Sequence, residues 1–334
     1  MPCYILIFAV KKFVSYNMKY LFKLLIKIKS FIVFCRFGRM YTYQTFGSHI
    51  FLRLMKIINK KEYIERKKYF SDVIKDNKMK KEGFDVFDIN KILSEKSQKT
   101  LKTLRNNFFK INFNNSSDNK KKFLRTCDIK LNDDLINMID DLTPIITNYM
   151  GCLPVVNSIE YWFSPNIENE SKRSQEFHTD PGTTQVRVMI PVEEITKDHG
   201  PLTAVNAENS YEVYKKLKQE KIIKKKEEKL SDEIFYKHIP ESQKKTITLN
   251  SDQIGMLDTC RCYHYGSRKS KYSRKLIAIS FQSPFSVDMP IFGRELLVNK
   301  FANKKHQLLY SFFENNFPVI RKNYNLKRFQ IKIL

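Results

Sequence analysis

Residues 176–192 read EFHTDPGTTQVRVMIPV: a polar motif carrying His178 and Asp180, a Pro-Gly-Thr-Thr turn, then an apolar run from Gln185 to Val192. In extended backbone, residues i and i+2 project to the same face, so His178 and Asp180 point together. Working outward, similar short runs rich in β-branched and aromatic residues recur at 158–163 (SIEYWF), 246–249 (TITL), 254–257 (IGML) and 276–282 (LIAISFQ). Pro, Gly, Asn and Asp separate them, the pattern of antiparallel strands closed into a sandwich or barrel.

On the N-terminal side the texture is helical. Residues 90–107 are charged, and Ile92, Leu93, Leu101, Leu104 and Phe108 form a partial apolar stripe. The polar stretch 114–122 (NNSSDNKKK) reads as a loop. Residues 131–149 (LNDDLINMIDDLTPIITNY) predict a helix entered through Asn132, Asp133 and Asp134, kinked or ended by Pro144 and closed by Gly151. After Pro290 helical patterns return at 295–301 and 306–315. The expected class is α+β. The organisation is a basic N-terminal segment (1–61), a helical lead-in (62–150), a β core (151–290) with a charged insertion (210–245), and a helical extension (291–334).

The 334 residues carry a formal net charge of +25, with 42% hydrophobic and 13% aromatic residues. That much apolar material excludes a disordered basic tail, and 9 Gly with 11 Pro exclude collagen-like architecture. Residues 1–61 hold twelve Lys/Arg and no acid, so about half the excess charge is local. Within them, 18–35 (MKYLFKLLIKIKSFIVFC) predicts a cationic amphipathic helix, with Lys12, Lys19, Lys23, Lys27 and Ser30 along one side. Three readings stay open: an interfacial helix on anionic lipid, a helix packed on the protein's own body, or a presequence or upstream stretch before a later start at Met18, Met40 or Met55. No apolar run is long enough to span a bilayer. The insertion holds eight lysines between Lys215 and Lys229, read as a solvated outer helix in preference to a basic lid. No nucleic-acid-binding motif accompanies the charge, so no specific nucleic-acid partner is expected. The six cysteines include no CxxC, which argues against a four-ligand zinc site and for a reduced, cytoplasmic setting, with membrane association through 1–61 compatible. Gly-rich phosphate loops are absent.

His264 lies 86 residues after His178, in the run 262–266 (CYHYG). A second strand bringing it beside His178 and Asp180 would place two imidazoles and one carboxylate on one face of an octahedral ion, the donor set suited to non-haem Fe(II). Zinc accepts the same ligands. Arg274 stands at the head of run 276–282, from where its guanidinium can enter the barrel and grip a carboxylate with two parallel hydrogen bonds. A co-substrate that chelates metal at one end and carries a carboxylate at the other fits both features, and 2-oxoglutarate has that form. Arg268, in the polar run 267–271, is an alternative to Arg274, and Arg187 can reach into the barrel to assist an anionic ligand. Cys260, Cys262 and His264 also alternate. A Cys-x-Cys-x-His site would lack a fourth ligand and compete for His264, so small core residues are the preferred reading, and His199 is taken as an exposed turn residue.

In this order of motifs the sequence resembles the phytanoyl-CoA dioxygenase-like group of Fe(II)/2-oxoglutarate-dependent oxygenases. The resemblance runs from 159 to 284 through SQEFHTD (174–180), QVRVMIPV, the turn Asp198-His199-Gly200-Pro201-Leu202, IGMLD (254–258), His264 and Arg274. It implies a double-stranded β-helix (jelly-roll, cupin-like) core with flanking helices. It further implies iron held by His178, Asp180 and His264 as the catalytic centre, Arg274 on the distal carboxylate of 2-oxoglutarate, and O2 as second co-substrate. The carboxylate at Asp180 implies hydroxylation or another oxygenase outcome, because related halogenases carry a small residue there. Many members follow the Gly-Pro-Leu turn with Pro-Gly-Ser-His, whereas this chain has AVNAENS (204–210), so the substrate is specified no further than small or carrier-linked. The alternative expectation is a catalytically inactive jelly-roll binding protein on an anionic membrane surface.

Overall fold

The computed structural model describes residues 56–57, 60–70, 78–113, 124–166, 175–180, 184–223, 229–285 and 301–310. The expectations for the basic segment up to residue 55, the loop 114–122, the helix over 295–300, residues 311–315 and the lysine run 224–228 lie outside them.

The lead-in contains α1 (Lys60–Lys67), α2 (Lys78–Glu82), α3 (Ile89–Ile92), α4 (Glu95–Phe108) and α5 (Asp133–Met150). Ser94 caps α4 by accepting from the Ser97 N–H, and Leu101, Leu104 and Phe108 form its buried stripe. Asn132 caps α5 through the Leu135 N–H, two aspartates occupy its first turn, and Gly151 ends it at φ 74°. Of the two expectations for Pro144, ending the helix fails, because the residue lies inside it. An interior proline costs about 3 kcal/mol. The burial of Leu142, Ile145 and Ile146, at about 1.5–3 kcal/mol per side chain, outweighs that cost.

Six antiparallel strands form the first sheet, in the order β1-β7-β4-β9-β3-β2. They are β1 (Phe84–Asp88), β2 (Arg125–Asp128), β3 (Val155–Ser164), β4 (Gln185–Pro191), β7 (Gln253–Asp258) and β9 (Arg274–Gln282). The lead-in is thus not purely helical, since it supplies both edge strands. Val186, Val188 and Ile190 of β4 and Ile277, Ile279 and Phe281 of β9 join the core formed with α4 and α5. Residues of the opposite parity, Met189, Leu257 and Leu276, meet Ala204 and Ile247 of a second sheet.

That second sheet has the order β6-β5-β8, with β5 (Leu202–Val205), β6 (Lys244–Ile247) and β8 (His264–Tyr265). Bridges His178↔His264 and Phe177↔Leu230 extend it. From β3 onward the chain alternates between sheets: β3 in the first, 177–178 in the second, β4 in the first, β5 and β6 in the second, β7 in the first, β8 in the second, β9 in the first. The strand expected at 246–249 begins earlier, at Lys244, and Leu249 pairs separately with Ile195.

The insertion starts at α6 (Ala207–Gln219) rather than at 210 and ends where β6 begins, so Lys245 belongs to the sheet. With α7 (Asp232–Tyr236) it packs Val213, Leu217, Leu230 and Phe235 against Phe177, Val205, Tyr263 and Tyr265. Lys215, Lys216 and Lys218 remain exposed, in keeping with a solvated outer helix. The last described element, α8 (Lys304–Leu309), buries Leu308 and Leu309, and both Lys305 and His306 pair with Asp140. No described helix is long and apolar enough to cross a membrane.

Candidate metal centre

The two histidines face each other across a backbone pairing. The His178 N–H donates to the His264 carbonyl at 3.1 Å, the His264 N–H returns the bond at 2.9 Å, and the ring centroids are 4.5 Å apart. Asp180 is fixed by its N–H donating to the Thr259 carbonyl at 2.8 Å. One donor atom from each of His178, Asp180 and His264 lies within 4.8 Å of the others, the one such cluster among the described residues.

Each imidazole is oriented by the backbone two residues upstream: His178 Nδ1 lies 2.8 Å from the Glu176 carbonyl and His264 Nδ1 lies 3.0 Å from the Cys262 carbonyl. A carbonyl can only accept, so Nδ1 carries the proton in both rings and Nε2 presents its lone pair. Burial, reinforced by His264, pulls His178 down to about 3, and burial also lowers His264. Both are neutral at physiological pH, the form that binds metal. Burial alone would raise the Asp180 carboxyl, but Arg187, His264, His178 and the Thr259 hydroxyl together bring it to about 2. Two neutral nitrogens and one carboxylate oxygen, buried and pre-oriented, fit a divalent ion.

These side chains line a cavity of about 130 Å³ walled by Trp162, Met189, Leu257 and Leu276 and shared with Arg187 and Arg274. Arg274 is buried, donating from Nη1 to the Gly200 carbonyl (3.0 Å) and from Nη2 to the hydroxyls of Ser267 (2.7 Å) and Ser164 (3.3 Å). Its Nε has no partner, and among the described residues no carboxylate pairs with it. Burial lowers its pKa to about 10. Gly266 is pressed against it: a Cβ there would sit 3.1 Å from Nη1 and 3.2 Å from Nη2.

Arg187 enters the cavity as expected, but its partner belongs to the candidate cluster: Nη2 donates to Asp180 Oδ2 at 3.0 Å, and the guanidinium lies 4.8 Å from the Trp162 ring centroid. The other candidates fall away from the cavity. Arg268 bonds the Gln175 carbonyl and Asp232 and stacks on Tyr265 at 3.6 Å. His199 is not simply exposed, because its Nδ1 accepts from the Thr196 N–H in a capping box. Cys262 is core: burial raises its thiol well above the ordinary value, and it donates to the Glu82 carbonyl. The residues that accept from Arg274, namely Ser164, Gly200 and Ser267, and Gly266 packed against it, were not identified from sequence in these roles. They come from separate segments, and only the adjacency of Gly266-Ser267 to His264 hinted at them.

No protein-family model matches the sequence, and no curated protein matches it. Solved structures resemble it weakly. HygX from Streptomyces hygroscopicus with nickel and 2-oxoglutarate bound is 10% identical, covers 62% of this chain and 85% of its own, and has a TM-score of 0.42. For EvdO2 from Micromonospora carbonacea var. aurantiaca the values are 12%, 63%, 90% and 0.43. For SnoN, a non-heme alpha ketoglutarate dependent epimerase from nogalamycin biosynthesis, they are 9%, 62%, 80% and 0.39.

Proposed function

We propose that this chain is an Fe(II)- and 2-oxoglutarate-dependent oxygenase, a hydroxylase of a small or carrier-linked metabolite. The alternation of successive strands between two facing sheets supports reading the core, 151–290, as a double-stranded β-helix. The observation that carries the function is Arg274: a buried guanidinium without an acidic partner, in the same cavity as two oriented imidazoles and a carboxylate. An uncompensated buried charge is costly, and a carboxylate-bearing co-substrate would neutralise it.

His178, Asp180 and His264 would hold the iron, and Arg274 would hold the distal carboxylate of 2-oxoglutarate. The bound metal and co-substrate supply O2-dependent oxidative decarboxylation coupled to substrate oxidation. The chain's own residues do the rest. The carbonyls of Glu176 and Cys262 fix the imidazole tautomers, Ser164, Ser267 and Gly200 aim the guanidinium, and Trp162, Met189, Leu257 and Leu276 keep the surrounding wall apolar. Low-dielectric walls strengthen the carboxylate contact relative to water.

The test is anaerobic thermal unfolding. Fe(II) with 2-oxoglutarate should raise the Tm of the wild-type protein. Neither ligand should do so in His178→Ala or Asp180→Ala, while Arg274→Ala should keep the metal shift and lose the 2-oxoglutarate shift. Equal shifts in wild type and all variants would sink the assignment. Succinate formation from 2-oxoglutarate in the wild type alone would support it.

A further inference from the structure

We propose that Arg187 occupies Asp180 Oδ2 and so restricts Asp180 to a single metal bond, keeping one more position on the ion open to exchangeable ligands. The proposal rests on His178, Asp180 and His264 being metal ligands. A carboxylate binds a divalent ion through one oxygen or both. In this site the two oxygens are already distinguished: Oδ1 lies 3.9 Å from His178 Nε2, whereas Oδ2 accepts a charge-assisted bond from Arg187 Nη2 at 3.0 Å. Rotating Asp180 to offer both oxygens to an ion would break that bond.

Arg187 is held for the task from its other side. It projects from β4 on the cavity face, as Met189 does, and its guanidinium packs on Trp162. The indole is itself tied by its Nε1–H donating to Glu160 at 3.1 Å. Arg187 Nε is buried with no partner, an unfavourable arrangement. The side chain is therefore placed by Asp180 and Trp162 and not by satisfaction of all its own donors. A planar, stacking cation suits this position better than lysine in packing, although lysine retains a cationic donor.

The consequence is a count of positions. An octahedral ion held by three single protein bonds keeps three open, and one held by a bidentate Asp180 keeps two. A co-substrate chelating through two atoms would then leave none for a third ligand.

Mn(II) binding to the full chain tests this, with stoichiometry from equilibrium dialysis and inner-sphere water from the relaxation rate of solvent protons. Arg187→Met preserves bulk against Trp162 and removes every donor. Its relaxivity per bound Mn(II) should fall by about one third, three waters becoming two, while Arg187→Lys stays at the wild-type value. Circular dichroism melts establish that each variant is folded, and Arg187→Ala serves as a second donor-free variant should Arg187→Met not fold. Unchanged relaxivity in the donor-free variant, or an equal fall in Arg187→Lys, overturns the role of Arg187 and leaves the metal centre standing. A wild-type protein that retains no Mn(II) overturns both.

Discussion

Replacing Arg274 by methionine separates stability from co-substrate binding. Burial lowers this guanidinium from 12.5 to about 10, and at about 1.4 kcal/mol per pH unit the folded apo protein carries roughly 3 kcal/mol of unfavourable charge desolvation. Because the folded-state value is depressed, that cost is present at all pH values below it. Arg274→Met removes the cost and also removes three hydrogen bonds, to Gly200, Ser164 and Ser267, together worth about 1.5–4.5 kcal/mol at net contributions of about 0.5–1.5 each. The two effects largely offset, so apo stability should change by no more than about 1.5 kcal/mol in either direction, unlike the loss of about 3–5 kcal/mol expected on breaking a paired buried charge. Loss of two charge-assisted bonds to the co-substrate carboxylate, at about 1.5–3 kcal/mol each, should weaken 2-oxoglutarate binding by about 10²–10⁴-fold. Metal affinity should hold. Denaturant unfolding of the apo protein and calorimetric titration of 2-oxoglutarate into Mn(II)-loaded protein measure these quantities. A 2-oxoglutarate affinity within threefold of wild type, or an apo stability loss above about 3 kcal/mol, would refute the reasoning.

Three further outcomes are expected. Gly266→Ala places a methyl 3.1–3.2 Å from the Arg274 nitrogens, so 2-oxoglutarate affinity should fall about tenfold, as for a displaced binding group, with metal affinity unchanged in the same titration. Phe235→Ala removes a ring stacked 3.8 Å from Phe177, next to His178, and should cost about 3–5 kcal/mol in urea unfolding, where an effect under 1 kcal/mol would show the insertion to be a passive appendage. In the apo protein, His178, depressed from 6.5 to about 3, makes the unfolded state bind more protons below pH 6.5. Its stabilisation is therefore complete above pH 6.5 and lost as pH falls toward 3. Asp258 opposes this, because burial raises its carboxyl to about 6 and the folded state takes up its proton first. Asp258→Asn should steepen the acid loss of stability, and an unchanged Tm–pH profile would contradict the assignment.

Four of the five strands legible in sequence are covered on at least one face by a continuous core, and the fifth run, 246–249, falls partly in the edge strand β6. Runs at 158–163, 185–192, 254–257 and 276–282 became β3, β4, β7 and β9 because burial demanded β-branched side chains at most positions. The edge strands β1 (FDVFD) and β2 (RTCD) were not legible, since an edge buries few residues and tolerates charge. The triad was readable because period-two geometry gives the face of His178 and Asp180. The reading of Arg187 as reaching into the barrel left its partner open, because sequence does not tell how far a side chain extends, and its bond to Asp180 is visible only in the structure. Likewise Pro144 reads locally as a helix breaker, and only the packing of its neighbours explains why α5 continues through it.

The pairing of His178 with His264 shows why the site needs both sheets. Each histidine exchanges both backbone hydrogen bonds with the other, and each ring is oriented by a carbonyl two residues earlier. Ring direction is thereby a property of backbone pairing and not of neighbouring side chains. The second sheet alone would fix two imidazoles with no anion and no counter-ligand. Arg187 and Arg274 come from the first sheet, on strands β4 and β9 that pair with each other. Asp180 sits on the connection between the sheets, where its N–H is held by Thr259 just beyond β7. Sliding either sheet by one residue would turn the cavity-facing set of that sheet outward. The core packing that fixes the register, Met189, Leu257 and Leu276 against Ala204 and Ile247, therefore also fixes the distance between the candidate metal ligands, His178, Asp180 and His264, and the Arg274 guanidinium. A large-to-small change there, such as Leu276→Ala, should cost about 2–5 kcal/mol of stability and weaken metal and 2-oxoglutarate binding together, unlike Arg274→Met, which affects 2-oxoglutarate alone.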